Sequence, residues 1–300
     1  MTNNERHPII ELGLFLIAIL GFSLLGAILA FLISYANGVN LSTLMSSLNE
    51  NSPIGERNLI RAVMAINQAL SFLVPSVFFA LFLYEKRWAN FFTLDKIPSF
   101  QNIMLGVLVL FVSLPLVQYT ILLNKAIPLP EWMHSVESET ENMLKGLLKM
   151  DYSYEIIVNV LVIALIPAIG EELVFRGVLQ QKLIQWFGKN HHAAIWLTGA
   201  IFSAIHLQFE GFLPRMILGA VLGYLFYYTK NIWISVIAHF FNNASQIVAY
   251  QAFKDDKTTL DLEKIDVPWY AGLLSLVAVV GLVYYLKISN NRENLELEND

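Results

Sequence analysis

The chain contains no cysteine, so disulfides and thiolate sites are excluded and no thiol records which compartment its loops face. Charge is scarce too: 14% of the 300 residues are charged, whereas a soluble domain carries about 25%. The formal net charge of −5 leaves no basic face for nucleic acid. There is no His-Glu-x-x-His zinc helix, no Gly-x-Ser-x-Gly elbow and no Gly-x-Gly-Asp run, so these signatures of other hydrolase classes are missing. No repeat of fixed period is visible.

Apolar residues are abundant, at 56% of the chain. A bilayer core takes about 20 apolar residues as a helix. Eight stretches meet that need when counted generously, near 10–34, 60–84, 102–124, 155–175, 193–209, 212–229, 231–251 and 268–287. The expected fold is all-α: a polytopic membrane protein of about eight transmembrane helices around an intramembrane polar cavity. The first stretch is too long for a signal-peptide core and lacks a lysine-rich lead, so it reads as an uncleaved anchor.

Polar and turn clusters mark the boundaries: Asn49 to Pro53, Glu85-Lys86-Arg87, Asp95 to Pro98, and Lys254 to Lys257. They divide the chain into 1–150, transmembrane helices plus an amphipathic segment without a recognised motif; 151–252, the chemical core; and 253–300, a last span and an acidic tail from Glu293 that reads as solvated and disordered. Residues 131–150, with Met143, Leu144, Leu147 and Leu148 at helical spacing behind a run of acids, read as a helix lying at the interface or as a partly ordered loop. Trp88, Trp132, Trp186, Trp233 and Trp269 fall near span ends, where an interfacial aromatic belt would lie. Lys and Arg divide ten to nine between the two sides, which does not orient the chain; Lys86, Arg87 and Lys96, with Lys182 and Lys189, favour termini on the cytoplasmic side.

Charge at bilayer depth costs roughly 2.5–3.5 kcal/mol per residue on insertion scales, so ionisable groups there tend to face partners or water. Gly170-Glu171-Glu172-Leu173-Val174-Phe175-Arg176 puts three of them in or at the end of an oily stretch. Glu172 and Arg176, four apart, share a helix face and can pair, which leaves Glu171, rotated by about 100°, without a cation on its own helix. Pro167 and Gly170 can open a membrane helix where it borders a cavity. Downstream, Phe202 and His206 share one face, and so do His239 and Asn243. Taken singly, each of these residues also fits a packing or wetted-end role. Together, a carboxylate, two imidazoles and an amide on three spans are the parts needed to activate water and hold a developing oxyanion. Hydrolysis of an amide is the natural reading.

Glu171-Glu172-x-x-x-Arg176, Phe202-x-x-x-His206 and His239-x-x-x-Asn243, in this order over residues 155–250, resemble the three motifs of the CPBP intramembrane proteases. This is the CAAX protease and bacteriocin-processing, or Abi, family, which includes the Ras-converting endopeptidase. The resemblance implies a catalytic set of Glu171, Glu172, His206, His239 and Asn243. In it Glu171 is the general base for water, helped by His206, and His239 with Asn243 stabilises the oxyanion. Glu172 paired with Arg176 orients the helix, and Phe202 shapes the cavity wall. It implies membrane lipid and a peptide or lipidated-protein substrate as partners.

Glu171, His206 and His239 are also a plausible zinc set, so a metalloprotease stays open beside direct glutamate and histidine chemistry. Ser203 or Ser245 would be the nucleophile of a serine hydrolase. From other classes come an ion-coupled transporter using Glu171, His206 and His239 as a relay, and a non-catalytic membrane scaffold or immunity protein. Gly219-x-x-x-Gly223 reads as a close-packing motif, Asn67, Gln68 and Gln118 as hydrogen-bonding groups between helices, and His191-His192 as a solvated turn. Counted along their spans, His239 and His206 lie at different depths, about 12 and 20 Å. They meet only if helices tilt or one span is re-entrant.

Overall fold

The structure, a computed structural model, describes residues 6–188, 190–253 and 267–297, with side chains as far as Asn291. Lys189, the boundary at Lys254 to Lys257 and the side chains of the acidic tail lie outside the described residues. Ten helices follow one another: α1 (Pro8–Ala36), α2 (Leu41–Ser47), α3 (Ile54–Phe91), α4 (Phe100–Lys125), α5 (Glu131–Leu148), α6 (Glu155–Phe187), α7 (His191–Ala204), α8 (Phe212–Thr229), α9 (Ile232–Phe253) and α10 (Trp269–Leu297). There is no strand among the described residues. The chain is an all-helical, multi-pass integral membrane protein. α10 continues into the first residues of the acidic tail, which extend that helix.

Among the described residues, six helices are long and apolar enough to cross a bilayer: α1, α3, α4, α6, α8 and α10. α7 and α9, counted as spans from the sequence, fall outside this set. α7 has only fourteen residues, a length of about 21 Å, short of a bilayer core of about 30 Å. α9 is long enough, but its second half carries Asn242, Asn243, Ser245 and Gln246. α7 ends just before His206 and α9 carries His239 and Asn243.

Burial separates core from shell. Half of the apolar stretch of α6 is buried (50%), against 11% of that of α1. α1 touches the protein along a narrow seam of Phe15, Gly26, Ala30 and Ser34, while Ile17, Leu20 and Leu24 on its other faces are more than 60% exposed, as side chains facing acyl chains would be. Its start is tied to α6 by an ion pair between Glu11 and Lys182 (2.6 Å), with the Lys182 ammonium also donating to the Tyr84 hydroxyl (2.7 Å). Lys182 is therefore a buried partner and not a loop cation that orients the chain.

At the opposite end, two fully buried arginines of α3 receive the end of α5. Arg57 donates to the Lys149 carbonyl (2.8 Å) and pairs with Asp151, and Arg61 donates to the Leu147 carbonyl (2.6 Å) and to Glu155 (2.7 Å). Guanidinium groups here satisfy carbonyls that a helix C-terminus leaves open. The segment 131–150 is thus a helix, exposed along most of its length and buried at Gly146, Leu147 and Leu148.

α7 and α8 form a hairpin held by glycine. A Cβ on Gly199 would lie 2.7 Å from the Met216 carbonyl and 3.0 Å from the Ala220 amide, and one on Gly219 would lie 3.0 Å from the Gly199 Cα. Gly199→Leu should cost about 3 kcal/mol through overpacking, read as a lowered thermal midpoint in detergent. Gly13→Ala, with nothing within 4 Å of the new Cβ, should leave the midpoint unchanged. His191 and His192 open α7 instead of lying in a solvated turn: His191 stacks on Tyr227 (4.3 Å between ring centroids) and His192 Nδ1 lies 2.7 Å from the Tyr224 hydroxyl.

Candidate active site

α6 departs from regular helix on both sides of its acids. Wider turns with i→i+5 hydrogen bonding run over Val160–Leu165 and Leu173–Gln180, and the regular turn Ile166–Glu172 between them holds Pro167, Gly170, Glu171 and Glu172. Pro167 brings no N–H to the ladder, which a widened turn accommodates. α3 widens in the same way at Ala69–Leu73, before Pro75. This widened turn of α3 faces the regular turn of α6 that holds the acids. A Cβ on Gly170 would lie 3.0 Å from Phe72 Cβ and 3.5 Å from the Leu73 amide, so the missing side chain lets the backbones approach.

Glu171 and Glu172 are both buried, at 5% and 0% exposure, yet have different partners. Glu172 Oε1 accepts from Arg176 Nη1 (2.7 Å) and from His239 Nδ1 (2.9 Å). Arg176 also donates to the Gly219 carbonyl (2.6 Å) and lies over the Phe202 ring, 5.2 Å from its centroid. Glu171 has no cation of its own: its Oε1 accepts from Gln68 Nε2 (3.3 Å), and its Oε2 stands 3.9 Å from His239 Nε2. Because a carboxylate only accepts, the His239 proton facing Glu172 is on Nδ1, which turns Nε2 toward Glu171.

His206 lies just past the end of α7, with Nδ1 2.8 Å from the Phe202 carbonyl. A carbonyl cannot donate, so Nδ1 carries the proton and Nε2 is the free position. Phe202 joins the parts: its buried ring meets His206 at 5.0 Å, His239 at 5.8 Å and Phe175 at 5.1 Å. Asn243, one turn beyond His239, is half-buried and accepts from Asn242 Nδ2 (3.2 Å). Glu171, Glu172, Arg176, Phe202, His206 and His239 thus gather on one side of α6, with Asn243 continuing the same face of α9.

The depth difference has a simple cause. α7 stops short and the chain turns back into α8, so His206 sits at the tip of a short hairpin. That tip is received by Asn124, which donates to the Phe209 carbonyl (2.7 Å), by Trp132 edge-on to Phe209 (5.5 Å) and by His134 against Glu210 (2.8 Å).

Neither serine presents a nucleophile here. Ser203 is buried and donates to the Phe212 carbonyl (2.7 Å), and Ser245 is exposed and donates to the Asn242 carbonyl (2.8 Å). Among the described residues no three His, Asp or Glu side chains are grouped as a metal site would need. A cavity of about 980 Å³ between the end of α1, α2 and α5 shares no lining residue with the polar cluster.

Two further residues support the site. Gln180 continues the 172–176 series by one turn and donates to the Gly223 carbonyl (2.9 Å), as Arg176 does to that of Gly219. Extending the i, i+4 series along α6 would have found it. Arg215 on α8 donates to the Gln208 carbonyl (3.2 Å) and so braces the tip loop that carries His206. As the one cation of its apolar stretch it was visible, but its direction was not. Gly219 and Gly223 therefore both permit close packing and leave carbonyls open to these long side chains.

Residues 153–245 match the family described as Type II CAAX prenyl endopeptidase Rce1-like. A protein of Bacillus subtilis (strain 168), uncharacterized protein YpbD, is 28% identical over 103 residues, covering 33% of this chain and 49% of that protein. The chain therefore spans about half the length of this curated relative. No solved structure matches. Through residues 153–245, which carry all three motifs, the chain is similar to this CAAX endopeptidase family.

Proposed function

We propose that the protein is an intramembrane endopeptidase that hydrolyses peptide bonds of hydrophobic or lipidated substrates, as in CaaX-type processing or peptide maturation, with water as the nucleophile. The observation that carries this reading is the sorting of two adjacent carboxylates. Glu172 is taken up by Arg176 and His239, whereas Glu171 keeps an oxygen turned toward His239 Nε2, in a buried setting. A carboxylate held this way can remove one proton from water as the oxygen attacks the substrate carbonyl carbon. The carbonyl electron pair moves to oxygen, the tetrahedral intermediate collapses, the C–N bond breaks, and Glu171 returns the proton to the departing amine.

His206, with its Nδ1 proton fixed on the Phe202 carbonyl, offers the Nε2 lone pair as a second acceptor for the same water. His239, when it carries a second proton, offers Nε2–H to the oxyanion, with the Asn243 amide one turn away. In that form the two carboxylates, Arg176 and His239 sum to zero charge, which suits a buried cluster. Arg176 and Glu172 are positioning residues.

The protein purified in detergent should cleave a peptide carrying a carboxy-terminal prenyl-cysteine motif with a higher kcat/KM than the same peptide without the lipid. Failure to cleave any member of a panel of lipidated and hydrophobic peptides would sink the proposal. Cleavage should survive exhaustive dialysis against a chelator, because the three candidate ligands are not grouped for metal. Loss that zinc restores would reverse that expectation. We further place both termini on the cytoplasmic side of a cell membrane. The start of α1 lies beside Lys182 and Tyr84 near the end of α3, and Asn102 meets Asn290 (3.0 Å), so both terminal helices border the last turns of α3 and the segment after it, with the exposed Lys86, Arg87 and Lys96.

A further inference from the structure

We infer that Gln68, on α3 and outside the family-matched segment, is a positioning residue for Glu171: its amide fixes the carboxylate plane so that the second oxygen faces the space beside His239. This rests on the proposed hydrolysis. The contact is Gln68 Nε2 to Glu171 Oε1 at 3.3 Å, and the opposite oxygen, Oε2, is the one 3.9 Å from His239 Nε2. A carboxylate turns freely about its last torsion, which is broad and two-fold. The Gln68 amide holds one oxygen by a hydrogen bond, while His239 Nε2 stands farther from the other.

Two features of the backbone serve this one contact. The widened turn Ala69–Leu73 begins directly after Gln68, Gly170 precedes Glu171 and lets α3 come close, and a Cβ on Gly170 would meet the Gln68 carbonyl at 3.9 Å as well as Phe72. Packing alone does not explain an amide here. The Gln68 Oε1 atom is buried without a hydrogen-bond partner, so an apolar side chain of the same length would fill the position without that desolvation cost. What glutamine adds is the donor.

The test is a cycle of kcat and KM in detergent for wild type, Gln68→Met, Glu171→Asp and the double variant, with Gln68→Asn as a second route. Methionine keeps the length and removes the donor, and asparagine keeps the amide but withdraws it. Each should lower kcat about tenfold, the worth of about 1.4 kcal/mol in a barrier, with KM within about twofold and an unchanged thermal midpoint. In the Glu171→Asp background, where the carboxylate is already withdrawn, Gln68→Met should have little further effect. Wild-type kcat in both Gln68 variants, or the same tenfold loss in both backgrounds, overturns the inference. Normal cleavage by Glu171→Gln would instead remove the hydrolysis reading beneath it.

Discussion

Glu171→Gln should fold as the wild type does and lose cleavage by about 10²–10⁴-fold, the usual contribution of a positioned general base. The substitution keeps shape and length. It removes a charge that no arginine or lysine pairs directly, and the new amide oxygen can still accept from Gln68. Stability should therefore hold, and the thermal midpoint in detergent, measured beside peptide cleavage, checks it. His206→Ala should show the same division, because its ring is fixed only by the Phe202 carbonyl and by contact with the Phe202 ring. Unchanged proteolysis by Glu171→Gln would remove the mechanism.

Arg176→Ala should behave in the opposite way, with stability lost first. Arg176 is fully buried and holds Glu172, the Gly219 carbonyl and the Phe202 face together. Removing one member of a buried pair costs about 3–5 kcal/mol, because the other charge stays buried without compensation. The expected result is a large drop in thermal midpoint, with little folded protein left to assay. Combining Arg176→Met with Glu172→Gln removes both charges and should recover much of that stability. Cleavage should not recover, since His239 Nδ1 then faces a neutral amide in place of the carboxylate that now accepts from it. Recovery of full activity in the double variant would mean that the pair has no part in orienting His239.

How much of this could be read in the chain differs from residue to residue. The Glu172 to Arg176 pair follows from helical spacing alone, because residues four apart share a face whatever surrounds them. The same rule placed His206 beside Phe202. It did not place Gln68 against Glu171, because spacing within one helix carries no information about the rotation of another. Gln68 was recognisable only as a polar group that would bond across helices. The extent of α7 was overread for a related reason. Its apolar run is continuous with that of the tip residues Ile205 and Leu207, which are exposed beyond the helix end. Hydropathy does not mark where a helix stops. Lys182 misled in turn as a loop cation, because its partner Glu11 lies on α1, far away in the chain.

Composition settled the solvent of this protein, and local periodicity settled its helical class and which polar residues share a face, because both depend on properties of neighbouring residues. Spacing along α6 sorts the two adjacent glutamates, Glu172 with Arg176 and Glu171 without a cation, but the groups from other helices that meet them were decided by α9 and α3. His239 and Gln68 reach α6 only after the helices pack, and that packing turns on glycines at Gly170, Gly199 and Gly219, where the absence of a side chain allows an approach that no local pattern specifies.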